Sequence, residues 1–393
     1  MRVLLIDVNA EESSTGNIVS TLYKSLIERG NDAIVCYARG ASQYGAYKFA
    51  IDAETHLHAL LTRATGYTDC FSPISTMRLI NKIKEFKPDI INMHELHSYF
   101  LNSKMFFNFL KKENIKVVWT MHCEIAYTGR CGMAENCERY KASCGSCPRL
   151  NAYPKTLFFD RSSYMLSKKR ELYKDINFKI ITPSPWLANK MRGSIVQDKD
   201  LSIIPNGIDD AFFVSEPSDI YQKLGIEGDV GLFMTPKFSD ENKGVKRLLA
   251  IAKRLPNISF VILAKDYKGD MQIANNVYCI GGVTRPALVA EYMASASFFL
   301  LLSRFESFSL TLAQSLACGT QAISYSCGAP ETVYDTPFVS FANFDDEDEI
   351  IRLIERRENI DRFALRDYAQ KFSNKTMCDR YIEEYQCLLE ETT

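Results

Sequence analysis

Short β-branched runs alternate with amphipathic helical segments along almost the whole chain, and this alternation limits the possible folds more than any other feature. In the first half, strands are predicted at 2–8, 32–37, 89–93, 116–121 and 178–182, and helices at 17–29, 76–86 and 103–113. After a turn cluster at 205–207 the pattern restarts, with strands at 230–234, 259–263, 276–280, 297–302 and 321–325. Apolar strands separated by helices indicate parallel sheets covered on both faces. We therefore predict an α/β fold of two doubly wound, Rossmann-like domains that face a cleft, with ligands bound beyond the carboxyl ends of the strands.

The length of 393 residues agrees with two such domains of about 150–200 residues each. We expect a domain 1–205 and a second domain that begins at 206, in the Pro-Asn-Gly turn. The opening residues are typical of a strand rather than a signal peptide, and no apolar run approaches the ~18–20 residues of a membrane span. We therefore expect a cytoplasmic protein, whose twelve cysteines are thiols or metal ligands.

The formal net charge of −1 conceals an asymmetry between the two halves. Residues 1–205 contain 28 lysines and arginines against 20 acids, whereas the remainder contains 19 against 28. The basic half indicates contact with an anionic partner such as a membrane surface, and the alternative is unselected drift between two domains.

Two candidate site residues follow strands of the first domain. Gly16 lies in a loop of Ser and Thr before a predicted helix, where free backbone N–H groups suit an anion such as a phosphate. The same residues are also ordinary helix caps. His122 ends the strand 116–121 and could hydrogen-bond a substrate hydroxyl, although a lone histidine is more often part of the core. His94 and His97 end the preceding strand, which favours a site at this edge. The dinucleotide fingerprint GxGxxG is absent, which argues against a dehydrogenase.

The second domain contains two further clusters. Lys237 follows a strand and Lys243 precedes a helix, so the two cations could neutralise a diphosphate, unless they are merely solvated. In "ESFSLTLAQSLACG" (306–319), the amides near Ser309 and Leu310 would face a phosphate at a helix start. Glu306 can accept hydrogen bonds from sugar hydroxyls, and Gln314 can bind a diol.

The ordered set "STGN", "TMHCE", "TPSPWL", "IPNGID", "K…KG", "ESFSLTLAQSLACG" and "GAPE" resembles the retaining glycosyltransferases of family 4, which have the GT-B fold. The resemblance covers almost the whole chain. The segment "RATGYTDCFSPIST" and the cysteine-containing segments look like a bacterial subgroup that builds capsular and exopolysaccharide chains. The resemblance also implies a nucleotide-sugar-binding domain at 206–372 and a C-terminal helix, within 373–393, that crosses back to the first domain.

The same resemblance implies roles for individual residues. Gly16 would approach the diphosphate or acceptor, and His122 would contact the transferred sugar. Lys237 and Lys243 would hold the diphosphate of a UDP- or GDP-sugar, and Glu306 would touch the donor sugar. The family usually places a second acid on the ribose, and Gln314 occupies that position here. An amide there predicts donor binding weaker by about 1 kcal/mol.

These observations lead to an expected function. The chain is predicted to transfer a sugar, with retention and without a catalytic cofactor, from a nucleotide-diphospho-sugar to a growing glycan acceptor that is lipid-linked. No nucleic-acid partner is expected. Two alternatives stay open: a catalytically silent glycosyltransferase-like binding subunit, which Gln314 favours, and a nucleotide-sugar 2-epimerase of the same architecture.

Four cysteines form a separate cluster, with Cys131, Cys137, Cys144 and Cys147 spaced C-x5-C-x6-C-x2-C. Four thiols within seventeen residues agree with a structural zinc site, although the spacing is not that of a standard zinc finger. Reduced thiols without metal are the alternative.

Peripheral contact with an anionic membrane is a further expectation. The segment 103–116 combines Phe106, Phe107, Phe109 and Leu110 with lysines, and 161–179 adds more cations. The alternative is that 103–113 is an ordinary crossover helix, which must bury its aromatic residues in any case.

Overall fold

The computed structural model describes residues 1–11, 13–42, 44–113, 115–269 and 271–390, and it divides into two compact units. Unit 1 comprises Met1–Ile204 together with the chain from Cys378 onward, and unit 2 comprises Pro205–Met377. The chain therefore passes from unit 1 into unit 2 at the Pro-Asn-Gly turn, and it returns to unit 1 within its last helix.

Unit 1 is built on a parallel sheet with the strand order β3-β2-β1-β4-β5-β6-β7. Its strands are β1 (Arg2–Asn9), β2 (Asp32–Arg39), β3 (Tyr47–Lys48), β4 (Ile90–Met93), β5 (Lys116–Thr120), β6 (Phe178–Thr182) and β7 (Leu201–Ile203). Its helices are α1 (Ser14–Glu28), α2 (Asp52–Thr65), α3 (Pro73–Phe86), α4 (Ser103–Glu113), α5 (Ser162–Tyr173) and α6 (Pro185–Met191).

Unit 2 repeats the design, with the strand order β10-β11-β9-β8-β12-β13-β14 and only the β10–β11 pair antiparallel among the described strands. Its strands are β8 (Val230–Thr235), β9 (Ser259–Ala264), β10 (Gln272–Ala274), β11 (Val277–Gly281), β12 (Phe298–Leu301), β13 (Ala322–Tyr325) and β14 (Val339–Ala342). Its helices are α7 (Ala211–Val214), α8 (Val245–Arg254), α9 (Pro286–Ser295), α10 (Leu310–Ala317), α11 (Pro330–Val333), α12 (Glu347–Glu355) and α13 (Arg362–Ala369), and α14 (Asn374–Glu390) follows.

The central strands of both sheets are buried on both faces, which explains their continuous apolar sequences. Leu4, Leu5 and Ile6 of β1 and Phe299 and Leu300 of β12 are almost inaccessible to solvent. Alternate residues of a strand point to opposite faces, so each face of a sheet packs against its own layer of helices. The predicted α/β fold of two Rossmann-like domains is confirmed.

Helix α14 completes the core of unit 1 with two buried tyrosines. The Tyr385 hydroxyl accepts a hydrogen bond of 2.6 Å from Asn92 Nδ2 on β4. The Tyr381 hydroxyl donates to Thr120 Oγ1 on β5 at 3.3 Å, and Thr120 Oγ1 donates to Asn92 Oδ1 at 3.1 Å. A buried polar network of this kind stabilises a fold only when its members are satisfied.

We expect Tyr385→Phe to lower the free energy of unfolding of unit 1 by about 1–3 kcal/mol, because it leaves the buried Asn92 amide without its acceptor. Urea unfolding followed by tryptophan fluorescence measures this unit, since Trp119 and Trp186 both lie in it. The matched control Tyr164→Phe alters an exposed ring and is expected to change stability by less than about 0.5 kcal/mol. Equal stability of the two variants would show that the network does not hold the helix.

Candidate functional site

An ion pair between Lys243 and Glu306 lies at the centre of the candidate site in unit 2. Lys243 Nζ is 2.7 Å from Glu306 Oε1, and the two side chains are only 25% and 14% exposed. Lys243 lies between β8 and α8, and Glu306 follows β12, the strand paired with β8. Burial alone would lower the pKa of Lys243, but the charge and hydrogen bond of Glu306 raise that pKa above its ordinary value. The lysine therefore stays a cation.

The backbone around this pair is held in place by neighbouring groups. Gly244 has φ of +95°, and a Cβ there would lie 2.4 Å from the Leu302 carbonyl oxygen, so only glycine fits. The Arg247 guanidinium donates to the same carbonyl through Nε at 3.0 Å and through Nη2 at 2.9 Å. The Glu306 N–H donates to the Cys327 carbonyl at 2.8 Å, and the Glu306 carbonyl accepts from the Ala329 N–H at 3.0 Å. The loops after β8, β12 and β13 are thus joined near Glu306.

Helix α10 begins beside Glu306 with an unusual residue. Ser309 adopts a left-handed conformation with φ of +72°, and its side chain does not cap the helix. The buried Tyr334 hydroxyl donates to the Ser309 carbonyl at 2.7 Å and fixes this conformation. The N–H groups of a helix's first turn have no partner within the helix, so those at Leu310 and beyond can donate to an anion. Gln314 lies one turn further on and is partly exposed.

Lys237 is placed differently from Lys243. It follows β8 by two residues and its side chain is exposed. Its backbone is held by Thr235, whose hydroxyl donates to the Lys237 carbonyl at 2.7 Å. The structure therefore pairs Lys243 with Glu306, whereas the ammonium group of Lys237 points to solvent and can reorient toward a ligand.

In unit 1, Gly16 lies inside the first turn of α1, and the helix begins at Ser14 rather than near the predicted residue 17. Its N–H donates to the Ser13 side chain at 3.0 Å, so this amide is used within the protein and is not offered to a ligand. A Cβ at position 16 would lie about 3 Å from Glu11 N and Asn9 O. The glycine is thus explained by close packing against the loop after β1.

Asp7 is a buried carboxylate that the sequence reasoning did not assign to the site. Its oxygens accept hydrogen bonds from the Thr15 hydroxyl at 3.0 Å and from the Glu95 N–H at 3.1 Å. Burial and the nearby Glu95 charge raise the pKa of Asp7 to about 7. An acid inside an otherwise apolar strand was the signal that could have found it.

His122 pairs with His94 in the same part of unit 1. His122 Nε2 lies 3.1 Å from His94 Nδ1, the rings stack with centroids 5.4 Å apart, and both residues are buried. Burial lowers the pKa of both imidazoles, so both are neutral near pH 7. A neutral imidazole can donate or accept a hydrogen bond with a hydroxyl, as the sequence analysis expected of His122.

Glu95, His97 and Cys123 form a third group beside these histidines. Their ligand atoms all lie within 4.8 Å of one another, which is the spacing that a metal ion needs. A direct ion pair joins His97 Nε2 to Glu95, and Cys123 Sγ lies 3.4 Å from Glu95 Oε2. Although burial opposes ionisation of both groups, their attraction lowers the pKa of Glu95 to about 2 and raises that of His97 well above its ordinary value. The imidazolium therefore supplies the positive charge that the buried carboxylate needs.

The four cysteines of the predicted zinc cluster lie on one loop and are partly buried. The Cys131 thiol donates a hydrogen bond to Cys147, which lowers the pKa of Cys147 to about 6, toward the thiolate that metals prefer. Within the described residues, however, no three of the four sulfur atoms all lie within 4.8 Å of one another. The donor chemistry fits zinc, but this arrangement of the thiols does not form a tetrahedral set.

Helix α4 does not present its aromatic residues to a membrane. Phe106, Phe107, Phe109 and Leu110 are all buried, at most 9% exposed, so the expected membrane contact through these residues of 103–116 is wrong. The helix packs these side chains into the core of unit 1, as a crossover helix does. Among the described residues, no helix is long and apolar enough to span a bilayer.

Comparison with known protein families identifies the family to which the chain belongs. The family described as Glycosyltransferase Family 4 matches residues 15–212, and Glycosyl transferases group 1 matches residues 230–356. The chain belongs to glycosyltransferase family 4. The family predicted from the motifs is confirmed.

A relative and two solved structures match nearly the whole length of this chain. WcaC of Escherichia coli K12, named as a colanic acid biosynthesis glycosyl transferase, is 22% identical over 99% of this chain and 100% of its own. Sucrose-phosphate synthase of Thermosynechococcus elongatus has a TM-score of 0.67 at 13% identity, with 99% of both chains covered. Alr3699/HepE of Anabaena, in complex with UDP-glucose, has a TM-score of 0.64 at 13% identity and covers 98% of this chain and 100% of its own. These structural likenesses support the GT-B fold.

The Asp7 carboxyl makes the stability of unit 1 depend on pH. Its pKa is 3.8 ordinarily and about 7 in the folded protein, so the folded state holds a proton that the unfolded state releases between these values. The proton therefore makes its whole contribution to the free energy of unfolding below pH 3.8, and this contribution is lost as the pH rises toward 7.

We expect Asp7→Asn to reduce this loss of stability, which urea midpoints between about pH 5 and pH 8 measure by tryptophan fluorescence. The matched control is Asp198→Asn, an exposed acid of the same unit, which should keep the slope of the native protein. An unchanged slope in Asp7→Asn would show that Asp7 ionises at its ordinary pKa.

Proposed function

We propose that the protein transfers a sugar, with retention of anomeric configuration, from a nucleotide-diphospho-sugar to a growing surface polysaccharide. The observation that carries this proposal is the buried Lys243–Glu306 pair beside the uncapped first turn of α10. A cation, a carboxylate and free helix amides are the groups needed to bind a diphosphate and the hydroxyls of a sugar.

The donor is assigned to unit 2. Lys243 and the amides at Ser309 and Leu310 bind the diphosphate, and the exposed Lys237 folds over it. Glu306 accepts hydrogen bonds from the donor sugar, and Gln314 binds the ribose without a charge-assisted bond. The complex of Alr3699/HepE with UDP-glucose supports a nucleotide-sugar donor, with UDP or GDP as the leaving group.

The groups of unit 1 act on the other reaction partner and on the transferred sugar. His122, held neutral and paired with His94, hydrogen-bonds a hydroxyl of that sugar. Gly16 allows the loop after β1 to approach closely, while its own amide stays on Ser13.

Catalysis follows from charge stabilisation rather than from a covalent intermediate. As the bond between sugar and diphosphate breaks, negative charge grows on the leaving phosphate oxygen, and Lys243 with the α10 amides stabilises it. The acceptor hydroxyl attacks the same face of the sugar, and its proton passes to the departing phosphate oxygen. No step requires a metal ion or an organic cofactor.

The acceptor is assigned from the relative. WcaC is named for colanic acid biosynthesis, and it matches this chain over its full length. This name supports a place for the reaction in exopolysaccharide synthesis. We further propose a lipid-linked glycan as the acceptor, and capsule synthesis as one setting for the reaction.

Gln314 favours a second candidate, a glycosyltransferase-like subunit that binds glycan or a partner enzyme without turnover, because the amide weakens ribose binding. A third candidate function is that of a nucleotide-sugar 2-epimerase, which can be distinguished from a transferase by whether the reaction requires an acceptor. An epimerase releases product without acceptor, whereas a transferase requires one.

We expect Lys243→Ala to lower kcat/KM for the nucleotide-sugar by at least about 100-fold, because the leaving diphosphate loses its buried cation. A panel of UDP-, GDP- and dTDP-sugars, scored by thermal shift and then by hydrolysis, first identifies the donor. The matched control is Lys246→Ala on the same helix, whose side chain is 87% exposed, and it should change kcat/KM by less than about twofold.

A loss of tenfold or less in Lys243→Ala would reject the role of this lysine. Because removal of Lys243 leaves Glu306 buried and unpaired, the thermal midpoint of each variant is measured in parallel. Glu306→Gln provides a second test, since it keeps the cation and removes only the carboxylate.

The four cysteines are proposed to bind one structural zinc, on the strength of their spacing along the chain, although their sulfur atoms do not form a tetrahedral set in this structure. Elemental analysis of the purified chain should give about one zinc per chain, and Cys144→Ser should reduce it. Less than about half a zinc per native chain would remove the proposal. Cys387→Ser changes an exposed cysteine outside the cluster and is the control.

A further inference from the structure

Unit 1 exposes a group of large apolar side chains that its core leaves unburied. Leu57 and Leu60 lie on α2, Ile74 begins α3, and Leu157, Phe158 and Phe159 follow one another in the segment before α5. Each is between 51% and 72% exposed. We call these six residues the apolar face. Exposed apolar residues scattered singly are ordinary, whereas a contiguous group indicates a surface that binds something.

Hydrogen bonds and close packing join the three segments that carry the apolar face. The Leu157 N–H donates to the Arg63 carbonyl at 2.9 Å, which places Leu157 one turn beyond Leu60 of α2. The Phe159 carbonyl packs on Gly66, where a Cβ would lie 2.4 Å from that oxygen. At the other end, the Ile74 N–H donates to Glu54 on α2 at 2.9 Å, one turn before Leu57.

The segment that carries the two phenylalanines is fixed rather than free to fold inward. Thr156 is buried, and its hydroxyl donates to the Phe159 carbonyl at 3.1 Å, closing a tight turn. Asp160 accepts hydrogen bonds from the N–H groups of Cys147 at 2.7 Å and Ser162 at 2.9 Å. Leu157 and Phe158 are therefore held at the tip of this turn, pointing into solvent.

Cations lie beside the Phe159 end of the apolar face. The Arg161 guanidinium lies 5.2 Å from the Tyr67 ring centroid and 5.5 Å from that of Phe159, and Lys168 lies 5.9 Å from the Tyr164 ring. Residues 150–170 contain four exposed cations, Lys155, Arg161, Lys168 and Arg170, and a fifth, Lys169, that is buried against backbone carbonyls. The one acid in this range, Asp160, accepts hydrogen bonds from backbone amides. Glu171 pairs with Lys168 and so offsets part of its charge, and Glu54 accepts hydrogen bonds from the start of α3.

We propose that the apolar face inserts into the headgroup region of a bilayer rich in anionic lipids. Aromatic and aliphatic side chains at the tip of a fixed turn enter the interface, and the surrounding arginine and lysine residues contact the lipid phosphates. The excess of basic residues in 1–205 adds long-range attraction to a negative surface. The occupant is thus a lipid surface, whose anionic headgroups the cations recognise.

This inference extends the proposed function, because a lipid-linked acceptor is presented at a membrane, but the binding can be tested without any substrate. The full chain is sedimented with vesicles of phosphatidylcholine alone and with vesicles that also contain phosphatidylglycerol, at low and high salt. We expect binding to the anionic vesicles, at least about tenfold weaker binding to the neutral vesicles, and weakening by salt.

The triple variant Leu157→Ser, Phe158→Ser, Phe159→Ser should lose at least about tenfold in partition to anionic vesicles. The matched control carries Val214→Ser and Phe363→Ser, which are 75% and 76% exposed in unit 2, and it should bind as the native chain does. Lys155→Gln with Lys168→Gln should weaken binding and its dependence on salt.

Three results would overturn the inference: no sedimentation with anionic vesicles, equal binding to both kinds of vesicle, or equal losses in the triple variant and its control. A UDP- or GDP-induced thermal shift is measured for every variant. A shift that persists without vesicle binding refutes the membrane surface and leaves the donor site standing. Vesicle binding without a thermal shift from UDP or GDP refutes the donor site and leaves the membrane surface standing.

Discussion

The ion pair between Lys243 and Glu306 is the interaction on which the proposed chemistry of unit 2 depends. It joins loops that follow β8 and β12, two strands that pair directly, so the order of the sheet places both charges together. Neither charge could be buried alone at an acceptable free energy, but as a pair they can stand beside a helix start. Gly244 and Arg247 complete the arrangement, because one permits the backbone approach and the other holds the Leu302 carbonyl. A negatively charged ligand therefore meets a site whose positive charge is already in place.

Unit 1 buries a different set of ionisable groups, which lie at the ends of β1, β4 and β5. Two neutral histidines, His94 and His122, lie beside the charged pair of Glu95 and His97. Three of these groups fall within four residues after β4, so the short loop there carries most of the polar chemistry of the unit. The difference between the imidazoles comes from the carboxylate: His97 contacts it directly and stays protonated, while burial keeps the other two neutral.

The sequence predicted the fold well because the central strands are continuous apolar runs, and the period of the helices between them is clear. Strands β3, β7, β10 and β14 were missed, since they have only two to four residues and form the edges of the two sheets. Lys243 and Glu306 were both predicted as ligand-binding groups, but their mutual contact depends on which strands are neighbours, and one sequence does not contain that information. Which apolar residues of α2 and α4 are buried was still harder to predict. Both helices carry large apolar residues, and only the structure shows that those of α4 enter the core while Leu57 and Leu60 of α2 do not.

The chain that forms unit 1 is interrupted by the whole of unit 2. Tyr381 and Tyr385, which hydrogen-bond Thr120 and Asn92, are synthesised only after the whole of unit 2. A ribosome that has made the first two hundred residues has therefore produced a sheet whose buried polar groups on β4 and β5 still lack their partners. Most domains can complete folding as they emerge. Unit 1 lacks these partners until α14 has been made, so a stop codon before Tyr381 removes contacts from the half of the protein that was made first.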